Sequence, residues 1–175
     1  TGINNAVLGN AAMYESTLGN NNTAVGNDAG RFIRSSQNTA IGSAALRNDS
    51  IGNNNVAVGY RASFENDTAS AVTAIGTDVL YYNTLDSNVA VGYRAGLFAN
   101  SNASAPAGEL TFVGTFAGLG SFASSKNTAV GFRALAQTNA VGISTDYTNG
   151  GRNTVIGDSA MAGGMGAFNV AVGTQ

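Results

Sequence analysis

A five-residue phrase recurs along the chain: Asn, then Thr or Val, a small residue, a branched aliphatic residue and Gly. It reads Asn22-Thr23-Ala24-Val25-Gly26, Asn38-Thr39-Ala40-Ile41-Gly42, Asn55-Val56-Ala57-Val58-Gly59, Asn88-Val89-Ala90-Val91-Gly92, Asn127-Thr128-Ala129-Val130-Gly131 and Asn169-Val170-Ala171-Val172-Gly173. Weaker copies end at Gly9, Gly76, Gly114 and Gly157. Successive phrase glycines are separated by 17, 16, 17, 17, 16, 22, 17, 26 and 16 residues. A near-constant period of this size indicates stacked units, each too small to bury its apolar side alone.

The columns are more regular than the spacing. The residue before Gly is aliphatic in every copy, from Leu8 to Val172. Two before Gly is Ala, except for Val7, Phe112 and Val155; four before is Asn, except for Val72 and Leu110. Three after Gly is Ala, with Val79 the exception. Side chains alternate across a strand, so the aliphatic and Ala columns occupy opposite faces. The aliphatic face is expected to fill the inside of a narrow coil. The Ala face is expected to admit another backbone, as at an axis shared between chains. Gly marks a corner with positive φ.

Gly at this period beside β-branched residues opposes a helix. Tyr14, Phe64, Tyr81 and Leu97, each five after Gly, are expected in a shorter second strand that closes the coil before a polar turn such as Asn20-Asn21 or Asn53-Asn54. The prediction is one all-β domain over residues 1–175: a parallel β-solenoid of about ten coils of 16–17 residues. At ~4.8 Å per rung it makes a rod roughly 50 Å long. Insertions interrupt it at 98–109, which holds the sole Pro, and at 137–151, where Asn139-Ala140-Val141-Gly142 is either a degenerate coil or part of a loop.

Composition narrows the function classes. Charged residues are 10% of the chain, against ~25% in typical domains, and net charge is −2, which gives no electrostatic case for nucleic acid or an anionic membrane. The absence of Cys and His removes the usual triads and zinc sites. No cofactor or metal is implied, and no apolar run approaches a membrane span. The lack of an initiator Met and the stop just after a phrase Gly lead to the expectation of a piece of a longer fibre.

The phrase Asn-Thr/Val-Ala-Val/Ile-Gly, with Ala three on, resembles the head repeats of trimeric autotransporter adhesins. It is still more similar to repeat segments of phage tail fibres and phage-like bacterial surface fibres. The likeness runs from Asn5 to Gly173. It implies a left-handed β-roll, assembled as an intertwined or side-by-side homotrimer, in an extracellular setting on a virion tail fibre or a bacterial surface. The adhesins' shorter repeat, with its second Ser/Ala-x-Ala-x-Gly phrase, is missing here, which favours the fibre relatives. The implied function is a structural and adhesive fibre segment that presents or forms a site for a cell-surface glycan or other receptor. The alternative is a tailspike-like polysaccharide depolymerase. A non-enzymatic role is favoured, because the nearest carboxylates (Glu65, Asp67 and Asp49) fall in expected turns.

Specific recognition is expected in the insertions, since loops on a rigid scaffold carry it. Phe98, Asn100, Asn102, Tyr147 and Asn149 are the candidate glycan contacts. Two after Gly, three consecutive rungs hold Arg61, Asp78 and Arg94, which predicts a structural ion ladder. The pairs Tyr60-Arg61, Tyr93-Arg94 and Phe132-Arg133 read as edge cover with Arg lying along it. The Asn column reads as structural. A Thr column (Thr23, Thr39, Thr73, Thr111, Thr128, Thr154) would suit ice binding, but Val and Ala interrupt it.

Overall fold

The computed structural model describes residues 2–99, 108–120, 126–136, 151–162 and 167–174. Over these the chain is all β, a solenoid with one strand per rung and no helix among the described residues. The strands are β1 (Ala6–Leu8), β2 (Thr23–Val25), β3 (Thr39–Ile41), β4 (Val56–Val58), β5 (Thr73–Ile75), β6 (Val89–Val91), β7 (Thr111–Val113), β8 (Thr128–Val130), β9 (Thr154–Ile156) and β10 (Val170–Val172). They form one parallel sheet in sequence order. Like columns pair: Thr23 with Thr39, Ala24 with Ala40, Val25 with Ile41. Across the longer gaps the register is kept, Val89 opposite Thr111 and Thr128 opposite Thr154.

The two strand faces are the reverse of the sequence expectation. The Ala column is inside: Ala24, Ala40, Ala57, Ala74, Ala90 and Ala129 are fully buried. The aliphatic column is outside, with Ile41 39%, Ile75 40%, Val130 36% and Ile156 43% exposed. The cause is the width of the coil. Behind the strand the interior is already occupied by Ala29, Ala45, Leu46, Ala62, Val79, Leu80 and the buried Asn column. In most rungs only a methyl fits there, so the branched side chain points outward; Val155 in β9 is a larger residue that is also fully buried in this column.

The larger exception supports that reason. Phe112 takes an Ala position in β7 and is still fully buried. Its ring fills space left by Gly118 and Gly96, four residues after their phrase glycines, where other rungs carry Leu46, Leu80 or Leu135. A Cβ on Gly118 would lie 2.5 Å from Phe112 ring carbons, and one on Gly96 would lie 2.9 Å from the same ring. Gly30 is paired with Ile33 in the same way, at 2.6 Å. Volume is conserved within a rung although individual columns change.

Corners are set by Asn and Gly. The inner Asn side chains from Asn22 to Asn153 are buried, and the column accepts the N–H of the next rung's equivalent residue: Asn22 Oδ1 from Asn38 N at 2.8 Å, Asn38 Oδ1 from Asn55 N at 2.9 Å. The ladder tolerates the two exceptions to the column, because Asn55 still accepts from Val72 N at 2.9 Å and Asn88 from Leu110 N at 3.0 Å. The phrase glycine has φ near +130°, as in Gly59, where any Cβ would drive into the Gly76 carbonyl oxygen.

The second strand is not formed as expected. Beyond the corner, among the described residues, only isolated parallel bridges are present, Asn48 to Glu65 and Glu65 to Tyr82. Residues two and four after Gly adopt left-handed φ, such as Arg61 (49°), Ser63 (50°), Asp78 (53°) and Leu80 (45°). This alternation coils the backbone too tightly for an extended ladder. The rungs stay joined: Arg61 N–H donates back to Ser43 O at 3.0 Å and Ser63 N–H forward to Val79 O at 2.9 Å.

Candidate functional site

Two outer surfaces follow from this coil. One is the sheet face, where the residues three and one before Gly point outward. It carries a Thr/Val column beside a Val/Ile column from β2 to β10, with no charged residue in either. Leu8, Ile41, Val56, Ile75, Val89, Val113, Ile156, Val170 and Val172 are all exposed on it. Single exposed aliphatic residues are ordinary, whereas a continuous apolar stripe that runs from rung to rung is not.

The other surface lies on the turn after the strand, where Arg and aromatic side chains interleave from rung to rung. Asp78 sits between the two predicted arginines. Its Oδ1 is 2.7 Å from Arg61 Nε and its Oδ2 is 3.5 Å from Arg94 Nε. The carboxylate side chain is only 6% exposed while the arginines are 35% and 42% exposed, so one buried acid is balanced by two solvated cations. The inverse pattern occurs three rungs earlier, where one cation, Arg31, bridges two acids, Glu15 at 3.1 Å and Asp28 at 3.3 Å.

The aromatic rings are largely consumed by one another and by arginine. Phe64 stacks on Tyr81 with centroids 4.9 Å apart, and Tyr82 on Phe98 at 5.6 Å. Arg61 covers Tyr60 and Tyr81 at 4.7 and 5.2 Å, and Arg94 covers Tyr93 at 5.0 Å. Phe132 instead meets Phe116 edge-on at 6.2 Å. The stacked pairs occupy one face of each of their rings, while Tyr14, Tyr60 and Phe132 remain exposed. Of the candidate glycan contacts, Phe98 is therefore half-buried against Tyr82. Asn100, Asn102, Tyr147 and Asn149 lie outside the described residues.

A third arginine arrangement was not legible as a pair in the sequence. The Arg47 guanidinium lies 5.4 Å from the Phe32 ring centre and 5.5 Å from that of Phe64, one ring on the preceding rung and one on the following. The signal was present as a column: Tyr14, Arg31, Arg47, Phe64 and Tyr81 all stand five after a phrase Gly. Reading only adjacent aromatic–Arg pairs misses it, because the partners are a full coil apart.

The carboxylates nearest to a catalytic pair are separated by the coil wall. Asp49 is wholly buried, its oxygens accepting from Gly52 N at 2.8 Å and Asn55 Nδ2 at 3.0 Å. Burial pushes its pKa up to about 7 against the effect of those two hydrogen bonds, and the charge of Asp67 adds to the rise. Glu65 accepts from Asn48 Nδ2 at 3.0 Å, and Asp67 accepts from the Ser50 hydroxyl. Among the described residues no three acids cluster as a metal site would need. A recess over Met161 and β10 is the uncovered end of the coil interior.

No protein-family model, curated protein or solved structure matches the chain.

Proposed function

We propose that the chain is a structural and adhesive segment of an extracellular fibre, a left-handed β-roll in which three copies pack their sheet faces about a common axis. The single observation that carries this reading is the uncharged Thr/Val and Val/Ile face, exposed from rung to rung along the rod. Covering what remains exposed of one aliphatic residue contributes roughly 1–2 kcal/mol, and the gain repeats at every rung. Association of separate chains costs on the order of 4–15 kcal/mol, so the column offsets that cost only because it is long. The Thr hydroxyls suit a three-fold axis, where each meets its own symmetry mates and both donates and accepts.

In this reading the rod's rigidity holds the Arg–aromatic side outward, and three copies of any weak site on it act together. The setting is a virion tail fibre or a bacterial surface, and the partner is a cell-surface glycan or another surface receptor. The test is to place charge on the face. Ile75→Asp with Val58→Asp is expected to yield monomers by size-exclusion chromatography while leaving the β-type circular dichroism in place. A parent that is already monomeric, or a double variant that remains associated, would overturn the trimer. Thermal hysteresis by a monomeric parent would assign the face to ordered water instead.

A further inference from the structure

The arginines of the outer turn differ in what neutralises them. Arg31 has Glu15 and Asp28, and Arg61 and Arg94 share Asp78. Arg47 has no carboxylate within ion-pair distance among the described residues. Its one polar side-chain contact is Asn48 Oδ1, reached by Nη1 at 3.5 Å, the outer limit of a hydrogen bond. The nearby Glu65 carboxylate is engaged by Asn48 Nδ2. Arg47 thus keeps a full charge and nearly all of its five N–H donors.

It is also held in place. Phe32 and Phe64 flank the guanidinium from the rungs on either side. Arg31 lies over the same Phe32 ring at 5.3 Å, so that ring is in contact with two guanidinium groups. The backbone beneath is pinned as well, since Arg47 O accepts from Phe32 N at 3.0 Å. Two rings near the guanidinium restrict it without using its N–H donors. Those donors form the fork that binds a carboxylate through two parallel hydrogen bonds. The side-chain entropy that a free surface Arg would lose on binding is already spent in the folded rod.

We propose that Arg47, flanked by Phe32 and Phe64, is a docking point for the carboxylate of an acidic surface polysaccharide, a polymer of uronic or sialic acid type. The proposal rests on the adhesive reading above and names its ligand class. The free donors argue for the same ligand: a carboxylate matches the planar guanidinium fork, whereas a neutral sugar offers no charge to pair with it. One site is weak, and a polymer repeating its carboxylates along a rod with three copies of the site gains by avidity.

The probe is an oligomer of polygalacturonic acid, with its carboxyl-reduced form and dextran sulfate as comparators. Binding is read by titration calorimetry and by the 15N shift of the Arg47 side chain. The acidic oligomer is expected to bind and to move that resonance, and the reduced form to do neither. Arg47→Gln is expected to weaken binding about tenfold or more. Arg47→Lys should recover only part of it, and Arg133→Gln, an exposed arginine of the same side, should leave it unchanged. Melting curves of the Lys variant keep a folding defect distinct from a binding defect. Equal binding by the reduced oligomer, equal binding by dextran sulfate, or no loss in Arg47→Gln would overturn the assignment. A parent that binds neutral surface glycans and ignores the acidic oligomer sinks this site while the adhesive reading stands. Arg47-dependent binding by a monomeric chain supports the site and sinks the trimer.

Discussion

Asp49 is the residue whose environment departs furthest from its chemistry. In the next two rungs the equivalent positions are Asn66 and Asn83, buried amides that a closed coil can satisfy. An acid whose folded pKa, about 7, is raised above its unfolded value near 3.8 holds its proton more tightly when folded. Stability is then greatest below about pH 4, falls as pH rises toward 7, and is flat above. The span corresponds to roughly 4 kcal/mol. Asp49→Asn is expected to flatten this dependence and to be the more stable form at pH 8. Urea unfolding between pH 4 and 8 checks it, and an unchanged slope in the variant would count against the assignment.

The left-handed residues make a second expectation at this scale. Ala44 has φ of 56°, in a region that costs an L-residue about 1–2 kcal/mol. Ala44→Gly is expected to stabilise by roughly 0.5–1 kcal/mol after the extra chain entropy of Gly is set against that relief. Ala45→Gly, one residue on, removes a fully buried methyl outside the left-handed region and is expected to destabilise by about 1 kcal/mol. Thermal melts of the two variants should therefore shift in opposite directions. The sequence shows that the phrase Gly is special, but nothing in the identities Ala44, Leu46 or Leu80 announces a left-handed backbone. Those conformations are imposed by rung-to-rung hydrogen bonding that a single coil does not reveal.

At the scale of the coil, the Asn ladder holds the corner and the Ala column sets the wall thickness. The repeat, the strands and the paired columns were legible, because each is a periodicity. Which strand face is inside was not, since both columns are apolar and alternation only separates them. The missing information is volume. Phe112 in an Ala position, accompanied by Gly96 and Gly118 in place of Leu, is the trace of a packed interior on the Ala side. The Arg61–Asp78–Arg94 arrangement belongs to this scale too. Its acid is buried and its two arginine side chains are partly exposed, although the Arg94 Nε that faces Asp78 is itself buried. Asp78→Asn, which keeps the amide-like shape and tolerates the left-handed φ, is expected to cost about 1 kcal/mol and less in high salt. Lys126→Ala, which breaks the exposed pair to Glu109 at 3.5 Å, is expected to cost no more than about 0.5 kcal/mol. Equal effects in guanidinium-free thermal melts would deny the ladder any role beyond surface charge.

For the whole molecule, reversing the strand faces moves the contact surface. The Ala column, expected from the sequence at a shared axis, is sealed inside each coil. The aliphatic column, expected inside, is what a neighbouring chain would meet. The rod has one uncharged sheet face and a turn rich in Arg and aromatic residues, and the proposed function assigns association to the first and recognition to the second. The candidate contacts in the insertions follow from where the phrase is interrupted, and all but Phe98 lie outside the described residues. The Arg47 arrangement lies within the regular rungs, and its members are brought together by the period and not by adjacency.

Sedimentation equilibrium of the parent chain tests the central claim most directly. A mass three times the 17.5 kDa of one chain, independent of loading concentration, is the predicted result. A single species at the mass of one chain across the same range would contradict it, and would leave the exposed aliphatic column without the partner proposed for it.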